Sequence, residues 1–172
     1  MRRHGGTPTG SDEPRWLDQD EAHAWVALAG MLVELPTALD AQLRRDAGIS
    51  HFEYQVMAML SMEKGRTLRM SRLAVLASGS LTRLSRVVDR LDTRGWVCRR
   101  PDPTDGRTTL AVLTDAGWEK VVETAPGHVA EVRRLVFDQL TSSQVRQLHA
   151  IGSRVLRAIG KEGLTPRENL TP

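Results

Sequence analysis

Apolar residues recur every three or four positions from Trp16 onward, which is the spacing of one buried face of an α-helix. The pattern predicts a long first helix that ends before Gly48. Pro36 is expected to kink or divide this helix, because proline lacks the backbone N–H. Ser50 and Glu53 have the spacing of a capping box, so a second helix is predicted to begin there.

The next segment has the pattern of two helices joined by a tight turn. A short helix is predicted over 71–77, a turn over 78–80, and a longer helix that begins after Ser80 and ends at Arg94, where Gly95 terminates it. The longer helix is expected to bury one apolar stripe: Leu81, Leu84, Val87, Val88 and Leu91. Two helices joined in this way form a helix-turn-helix, whose second helix is the recognition helix.

Beyond the recognition helix the period of the apolar pattern changes from 3.6 to 2, which predicts strands over 96–100 and 108–113. The segment between them is rich in Pro, Asp and Gly, and is expected to form a hairpin tip that projects into solvent. Two further helices follow, the last opened by the capping box Thr141-x-x-Gln144. The predicted fold is therefore mainly α with a small β-hairpin wing: a winged helix-turn-helix with N- and C-terminal dimerisation helices.

This pattern divides the chain into five parts. They are a disordered arm over 1–12, an N-terminal dimerisation helix over 13–48, a winged helix-turn-helix DNA-binding domain over 49–115, C-terminal dimerisation helices over 116–162 and a flexible tail over 163–172. The flanking helices each have an apolar face that the small core of the central domain cannot cover. A second copy of the chain is therefore expected to cover them, which suits two-fold symmetric DNA.

Composition excludes several classes of protein. The chain has 172 residues, 40% of them hydrophobic, which is enough for one packed domain with helical arms and excludes wholesale disorder. A single cysteine cannot form an internal disulfide. No apolar run approaches the roughly 18 residues of a membrane-spanning helix, and the N-terminus lacks the pattern of a secretory signal, so a cytoplasmic protein is expected.

Charge is unevenly distributed along the chain, although the formal net charge is only +3. Between Gly65 and Arg107 ten arginines are opposed by only four aspartates. Three of them, Arg83, Arg86 and Arg90, repeat at helical spacing on the side of the recognition helix away from its apolar stripe. Arginine donates two hydrogen bonds to guanine in the major groove, and hydroxyl groups bond to bases or phosphates, so this helix is predicted to bind DNA.

The hairpin tip carries a further arginine. Arg107 is expected to enter the narrow minor groove, where the negative potential is greatest. Asp102 and Asp105 lie beside it in the sequence, and an aspartate at a DNA-binding tip is useful if it orients the arginine through a charge-assisted pair. An ordinary surface hairpin with an incidental ion pair is the alternative.

Three segments carry motifs in a specific order and spacing: SLTRLSRVVDRLDTRGWV over 80–97, RRPDPTDGR over 99–107 and LTDAG over 113–117. They resemble the core, the wing and the start of the next helix in the MarR family of bacterial transcriptional regulators, and the resemblance extends over roughly residues 20–160. It implies a homodimer with interlocked terminal helices that binds a palindromic DNA site overlapping a promoter. Such a protein is usually a repressor that a small molecule releases.

The resemblance also implies roles for residues of this chain. Major-groove contact is implied for Ser80, Thr82, Arg83, Ser85 and Arg86. Arg107 would be the minor-groove arginine, with Asp105 as its orienting partner, and Arg90 belongs to the basic face of the same recognition helix.

The resemblance implies that a small-molecule effector would occupy a pocket between the dimer helices and the DNA-binding lobe. Five residues are candidates to line it: Arg15, Trp16, His23, Trp25 and His51. The aromatic rings suit an apolar or phenolic body, and arginine or histidine suits an anionic group. Trp16 and Trp25 could instead pack at the dimer interface.

Other functions fit the sequence less well. The chain lacks a Gly-rich phosphate loop and the G-x-S-x-G and H-E-x-x-H motifs, and its five histidines include no i, i+4 pair to hold a metal ion. No enzymatic activity, cofactor or metal is therefore expected. Redox-sensing members of the family carry a reactive cysteine in the first helix, whereas Cys98 precedes the wing, so redox sensing is not expected. Two alternatives remain open: a winged-helix module that binds only proteins, and a DNA-binding protein without a ligand.

Overall fold

The computed structural model describes residues 14–160, so the predicted arm and tail lie outside the described residues. These residues form six α-helices: α1 (Gln19–Ala47), α2 (His51–Ser61), α3 (Met70–Leu76), α4 (Leu81–Thr93), α5 (Asp115–Leu135) and α6 (Ser142–Ala158). Three β-strands accompany them: β1 (Thr67–Arg69), β2 (Val97–Asp102) and β3 (Asp105–Leu113). A mainly helical fold with a small antiparallel wing confirms the predicted class.

The chain divides into two compact units after Glu34, within α1. In the first unit, α1 begins with a reciprocal cap. The Asp18 carboxylate accepts from the Glu21 N–H at 2.8 Å, and the Glu21 carboxylate accepts from the Asp18 N–H at 3.0 Å. The large apolar side chains of this unit are exposed, with Val26 at 70% and Leu32 at 65%.

The first helix corrects the expectation that the chain has no segment long and apolar enough to span a membrane. An 18-residue window of α1 has a mean hydropathy of 1.3, so by length and composition alone this helix could cross a membrane. The pattern of large apolar residues hides this, because alanine fills many positions between them and raises the average. An exposed apolar surface of this size needs a cover, which either a bilayer or a protein partner provides.

Local signals place most helix ends as predicted. Ser50 and Glu53 cap each other's backbone at the start of α2, and Thr141 and Gln144 do the same at α6. By contrast, α1 continues through Pro36 as one helix, so the expected division is not found. Proline removes one backbone hydrogen bond, and the turns on either side of it keep theirs.

The core of the second unit lies where α2, α3 and α4 pack against one another and against the sheet. Its largest fully buried side chains are Leu43, Ile49, Met57, Leu60, Leu73, Leu84, Leu91, Val56, Val88 and Val97. Burying each of them stabilises the fold by about 1.5–3 kcal/mol, so the winged helix can form within a single chain.

The sheet has the strand order β1-β3-β2, and both pairs are antiparallel. The sequence pattern does not indicate β1, because its three residues become extended by pairing with the distant β3 rather than through a local signal. The other two strands are longer than predicted. Cross-strand pairing continues to Asp102 and Asp105, which leaves only Pro103 and Thr104 as the tip of the wing.

The start of α5 is pressed against the residues that join α4 to the wing. The Thr114 hydroxyl caps α5 by accepting from the Gly117 N–H at 3.0 Å, and it donates to the Gly95 carbonyl at 2.7 Å. A Cβ on Gly117 would lie 2.0 Å from the carbonyl oxygen of Trp96, so only glycine fits there. This contact fixes the direction in which α5 leaves the winged helix.

Candidate nucleic-acid interface

The recognition helix α4 separates its buried and exposed faces sharply. Four of its apolar side chains are at most 3% exposed: Leu84, Val87, Val88 and Leu91. The Ser80 Oγ accepts from the Arg83 N–H at 3.2 Å and caps the helix, as predicted. Leu81 departs from the predicted buried stripe and is 55% exposed. At about 100° per residue it lies at the edge of the buried arc rather than within it.

The turn before α4 holds this helix against α2. Ser78 has a positive φ of 49°, which reverses the chain between α3 and α4. A Cβ on Gly79 would lie 2.9 Å from the Phe52 Cζ, so the turn packs directly on that ring. The Arg83 guanidinium lies 4.1 Å from the centre of the same ring in a cation–π contact. Phe52 therefore positions both the turn and Arg83.

A buried carboxylate holds the middle of α4. Arg90 Nε donates to Glu53 Oε1 at 2.9 Å, and the Glu53 side chain is only 7% exposed. Burial raises the pKa of Glu53, but the hydrogen bonds from Ser50 and Arg90 outweigh it, so the pKa lies below its ordinary value. Arg90 was predicted to join the DNA-binding face. The Arg90 side chain is bound to Glu53 and is still 54% exposed, so its place on the DNA-binding face stays a prediction.

The outer face of α4 presents Thr82 and Arg86, which are both exposed. Within residues 14–160, no hydrogen bond or ion pair engages the Arg86 side chain. Ser85 lies at one edge of the helix, where its Oγ and its carbonyl accept from Arg99 Nη2 of β2 at 2.9 and 3.0 Å. Arg99 also pairs with Asp89 at 2.8 Å. Strand β2 thus supports one edge of α4 and leaves Arg86 available to a ligand.

The wing is held by a buried aspartate whose partner differs from the predicted one. Asp102 was expected beside Arg107, but its carboxylate pairs with Arg69 of β1 at 2.8 Å and accepts from the Thr104 N–H at 2.9 Å. The two-residue tip turns Asp102 inward, where its side chain is buried. Hydrogen bonds from Thr104, followed by the attraction of Arg69, lower the pKa of Asp102.

The Asp105 carboxylate contacts the backbone N–H of Arg107 and not its guanidinium. Asp105 Oδ1 accepts from the Arg107 N–H at 3.2 Å, and its Oδ2 accepts from the Thr108 hydroxyl at 2.8 Å. The expected ion pair between the two side chains does not form in the described part of the chain, where the two carboxylate oxygens accept hydrogen bonds within the turn instead. Asp105 therefore shapes the wing, and the exposed Arg107 side chain stays available.

A cleft of about 640 Å³ is bounded by α4, the second-unit part of α1 and the start of α2. Four arginines line it: Arg44, Arg83, Arg86 and Arg90. The acidic side chain in the lining is Asp40, which accepts from Arg44 and from the His51 N–H. Burial raises the pKa of Asp40, but these hydrogen bonds outweigh it and lower the pKa. The cleft therefore favours an anionic ligand.

Comparison with known proteins decides the family. A sequence profile described as MarR family matches residues 47–108. The crystal structure of Sco3205, a MarR family transcriptional regulator from Streptomyces coelicolor in complex with DNA, is 42% identical in sequence. The match covers 94% of this chain and 98% of Sco3205, with a TM-score of 0.78. The chain belongs to the MarR family of DNA-binding transcriptional regulators.

Further MarR-type proteins support this assignment. AbsC, also a MarR family transcriptional regulator from Streptomyces coelicolor, is 32% identical over 86% of this chain and 97% of its own, with a TM-score of 0.76. The transcriptional repressor MprA of Escherichia coli is 27% identical over 109 residues, or 63% of this chain. The chain spans about 61% of the length of MprA. These relatives are regulators and not enzymes, in agreement with the prediction from the sequence.

In this MarR-family fold the predicted DNA-binding residues fall into two groups. Ser80, Thr82, Arg83, Ser85, Arg86 and Arg90 lie in α4 or its cap, and Asp105 and Arg107 lie in the wing. The sequence pattern identifies Glu53 only as part of a capping box and Asp102 only as a neighbour of Arg107. Their partners, Arg90 and Arg69, are 37 and 33 residues away. The many arginines in this part of the sequence indicate that the two acids have basic partners, but they do not show which arginine pairs with which acid.

The predicted effector residues are divided between the two units of the chain. His51 lines the cleft, whereas the other four belong to the first unit: Arg15, Trp16, His23 and Trp25. In that unit Arg15 pairs with Glu21 at 3.8 Å, and both tryptophans are exposed. Among the described residues, no group of three or more His, Cys, Asp or Glu side chains is placed to hold a metal ion.

Proposed function

We propose that the protein is a dimeric, sequence-specific regulator of transcription that acts in the cytoplasm as a repressor. The observation that supports this best is the construction of α4. Its apolar face is sealed into the core, while its outer face presents Thr82 and an Arg86 that has no partner within residues 14–160. A helix built in this way fits the major groove. The DNA complex of Sco3205 and the repressor activity named for MprA support the same conclusion.

Two parts of each chain would contact one half of the palindromic DNA site, which is called a half-site. The recognition helix contributes its major-groove residues: Ser80, Thr82, Arg83, Ser85 and Arg86. Arg107 of the wing enters the adjacent minor groove. Arg90 and Asp105 act as positioning residues, because the first anchors α4 to Glu53 and the second shapes the wing.

The dimer would be formed by residues 13–48 and 116–162, and residues 49–115 would form the DNA-binding domain. Helix α6 supports this division, because it buries none of its residues although it carries an apolar face. A second copy of the chain would cover this face and the exposed apolar surface of α1. The resulting two-fold symmetry presents two recognition helices to a palindromic site.

A small anionic ligand with an aromatic or phenolic body would release the repressor by binding in the cleft. The cleft volume of about 640 Å³ is that of a small-molecule site. Its arginines suit a carboxylate or phosphate, and the Phe52 ring suits an aromatic body. Because Arg83 and Arg86 belong both to the cleft and to the predicted major-groove face, ligand and DNA would compete for them.

Fluorescence anisotropy tests DNA binding. DNA from upstream of the protein's own gene and a shuffled sequence are titrated with protein at two salt concentrations. We expect a preference for the upstream sequence and an affinity that falls steeply with salt, because bound arginines release phosphate counterions. Arg86→Ala should cost about 1–3 kcal/mol and relax the base preference, and Arg86→Ala/Arg107→Ala should cost more.

The matched control is Arg133→Ala/Arg134→Ala, which removes two exposed arginines of α5 outside the recognition helix and the wing. It should leave DNA binding unchanged, and sedimentation verifies that its oligomeric state is that of the wild type. Binding that ignores the DNA sequence and both arginines of the interface would reject the proposal. It would favour a winged-helix module that binds proteins instead.

The ligand is tested by titrating benzoate and inorganic phosphate into the protein–DNA complex. Release of DNA should need roughly tenfold more benzoate in Arg44→Ala, since Arg44 lines the cleft but lies outside the recognition helix. Arg45→Ala is the control, because Arg45 is the next residue of α1 and does not line the cleft. Equal DNA affinity at every concentration of both probes would favour a regulator without this ligand.

A further inference from the structure

Leu81 is the exception among the apolar residues of the recognition helix. The other four are at most 3% exposed, whereas Leu81 is 55% exposed. It is the first residue of α4 and directly follows the cap Ser80. An exposed leucine adds little to the stability of the fold, because the hydrophobic contribution depends on the area removed from water.

The position of Leu81 places it where a recognition helix meets base edges. Residues at the N-terminal end of such a helix reach furthest into the major groove. Leu81 and Ser85 are four residues apart and share one edge of α4, and Ser85 accepts from Arg99 of β2. Arg83 lies at the opposite edge, over Phe52. The leucine therefore stands on the strand-facing edge of the helix.

The chemistry of the major groove offers a leucine one kind of partner. Base edges there present hydrogen-bond donors and acceptors, and the single apolar group is the C5 methyl of thymine. Thr82, Ser85 and Arg86 can bond to the polar groups, whereas Leu81 can form only an apolar contact. We propose that Leu81 is a specificity-determining residue that selects thymine at one position of each half-site by contact with its methyl group. This inference rests on the proposed DNA-binding function.

The expected effect is modest but measurable. Removing one buried methyl group from a contact weakens it about fourfold. A palindromic site contains the contact twice, so symmetric removal of both methyl groups should weaken binding roughly fifteenfold. The methyl group can be removed without changing any hydrogen bond by replacing thymidine with deoxyuridine.

The experiment replaces each thymidine pair of the upstream DNA in turn, symmetrically in both half-sites, with deoxyuridine. Dissociation constants are measured by anisotropy for the wild type, Leu81→Ala and Leu81→Met. One position should weaken the wild type about fifteenfold and leave Leu81→Ala unaffected, while Leu81→Met keeps most of the discrimination. Val75→Ala, which truncates an exposed apolar residue of α3, should behave like the wild type.

The outcomes separate this inference from the function on which it rests. If the wild type binds the upstream DNA but no deoxyuridine position affects it, or if Leu81→Ala responds as the wild type does, Leu81 does not read thymine. If the wild type shows no preference for the upstream DNA over the shuffled sequence, the DNA-binding proposal itself fails. Thermal unfolding of Leu81→Ala, which should match the wild type closely, shows that lost discrimination does not come from lost structure.

Discussion

Helices α4 and α6 are both amphipathic, yet the described chain covers the apolar face of only one of them. In α4 the four inward-facing side chains are almost fully buried against α2, α3 and β2. In α6 no residue is buried, and three large apolar side chains are 41–60% exposed: Leu148, Ile151 and Val155. Hydrophobic periodicity thus shows that a face needs a cover, and only the fold shows whether the same chain supplies it.

This difference indicates two separate tasks: DNA recognition by the winged helix and assembly by the flanking helices. The winged helix has its own core and holds Arg83 and Arg90 in place through Phe52 and Glu53. The apolar faces of the flanking helices stay exposed to water unless another surface covers them. If that surface is a second copy, the distance between two rigid recognition helices is set by the flanks, and a change in the flanks changes which DNA site fits.

The largest effect is expected when charged residues are placed on the apolar face of α6. Leu148→Asp/Ile151→Asp places four carboxylates in the proposed dimer interface. Each lost leucine or isoleucine contact is worth about 1.5–3 kcal/mol, and an unpaired buried charge costs several more. We expect the dissociation constant of the dimer to rise by roughly a hundredfold or more, as measured by analytical ultracentrifugation. DNA affinity should fall with it, because one monomer reaches only one half-site.

Ser143→Asp/Ala150→Asp is the matched control, since it adds the same charge to α6 at exposed positions outside the apolar face. It should leave the dimer intact. A wild-type chain that sediments as a monomer and binds phosphatidylcholine vesicles would contradict the dimer and assign the apolar surface of α1 to a bilayer.

A smaller effect is expected when the contact that anchors α4 is removed. Glu53→Ala removes the carboxylate that caps α2 and bonds to Arg90, and should lower the free energy of unfolding by about 2–3 kcal/mol in urea denaturation. Glu123→Ala removes an exposed carboxylate that pairs with Lys120 and should change the free energy of unfolding by at most about 0.5 kcal/mol. Equal effects of the two variants would show that the buried pair does not anchor α4.

The contribution of Glu53 also has a defined pH dependence. Its pKa in the folded chain lies below the ordinary value of 4.5, so the folded state binds fewer protons than the unfolded state in acid. The stability that Glu53 supplies is complete above about pH 4.5 and is lost as the pH falls through the folded-state pKa. The difference between the wild type and Glu53→Ala should therefore shrink only at acidic pH.

Features that depend on residues close together in the sequence could be predicted, and features that depend on distant residues could not. The cap at Ser80, the terminating Gly95 with φ of 71° and both capping boxes depend on residues at most a few positions apart, and all were predicted. The Glu53–Arg90 and Asp102–Arg69 pairs join distant elements, and a sequence with this many arginines does not say which of them pairs with which acid. The exposure of Leu81 was missed because periodicity gives the direction of a side chain and not the extent of the surface that covers it.

The smallest expected effect concerns the junction between the winged helix and α5. The rings of His51 and His128 are 5.8 Å apart, and the Tyr54 ring lies 4.6 Å from His128. Burial lowers the pKa of both histidines below the ordinary value of 6.5. The charge of Asp40 opposes this shift at His51 only in part, and the His51 charge adds to it at His128.

These lowered pKa values make the junction a source of acid sensitivity above the range in which Glu53 titrates. The unfolded chain takes up protons at both histidines near pH 6.5 while the folded chain resists them, so stability is full above about pH 6.5 and declines as the pH falls through the folded-state values. Urea denaturation between about pH 7.5 and pH 5.5 should show this decline in the wild type and a shallower one in His128→Gln. His149→Gln removes an exposed histidine of α6 and should keep the wild-type slope. If His128→Gln and the wild type lose stability in parallel, the packed histidines do not hold α2 and α5 together in a pH-dependent way, and the junction depends on its apolar contacts alone.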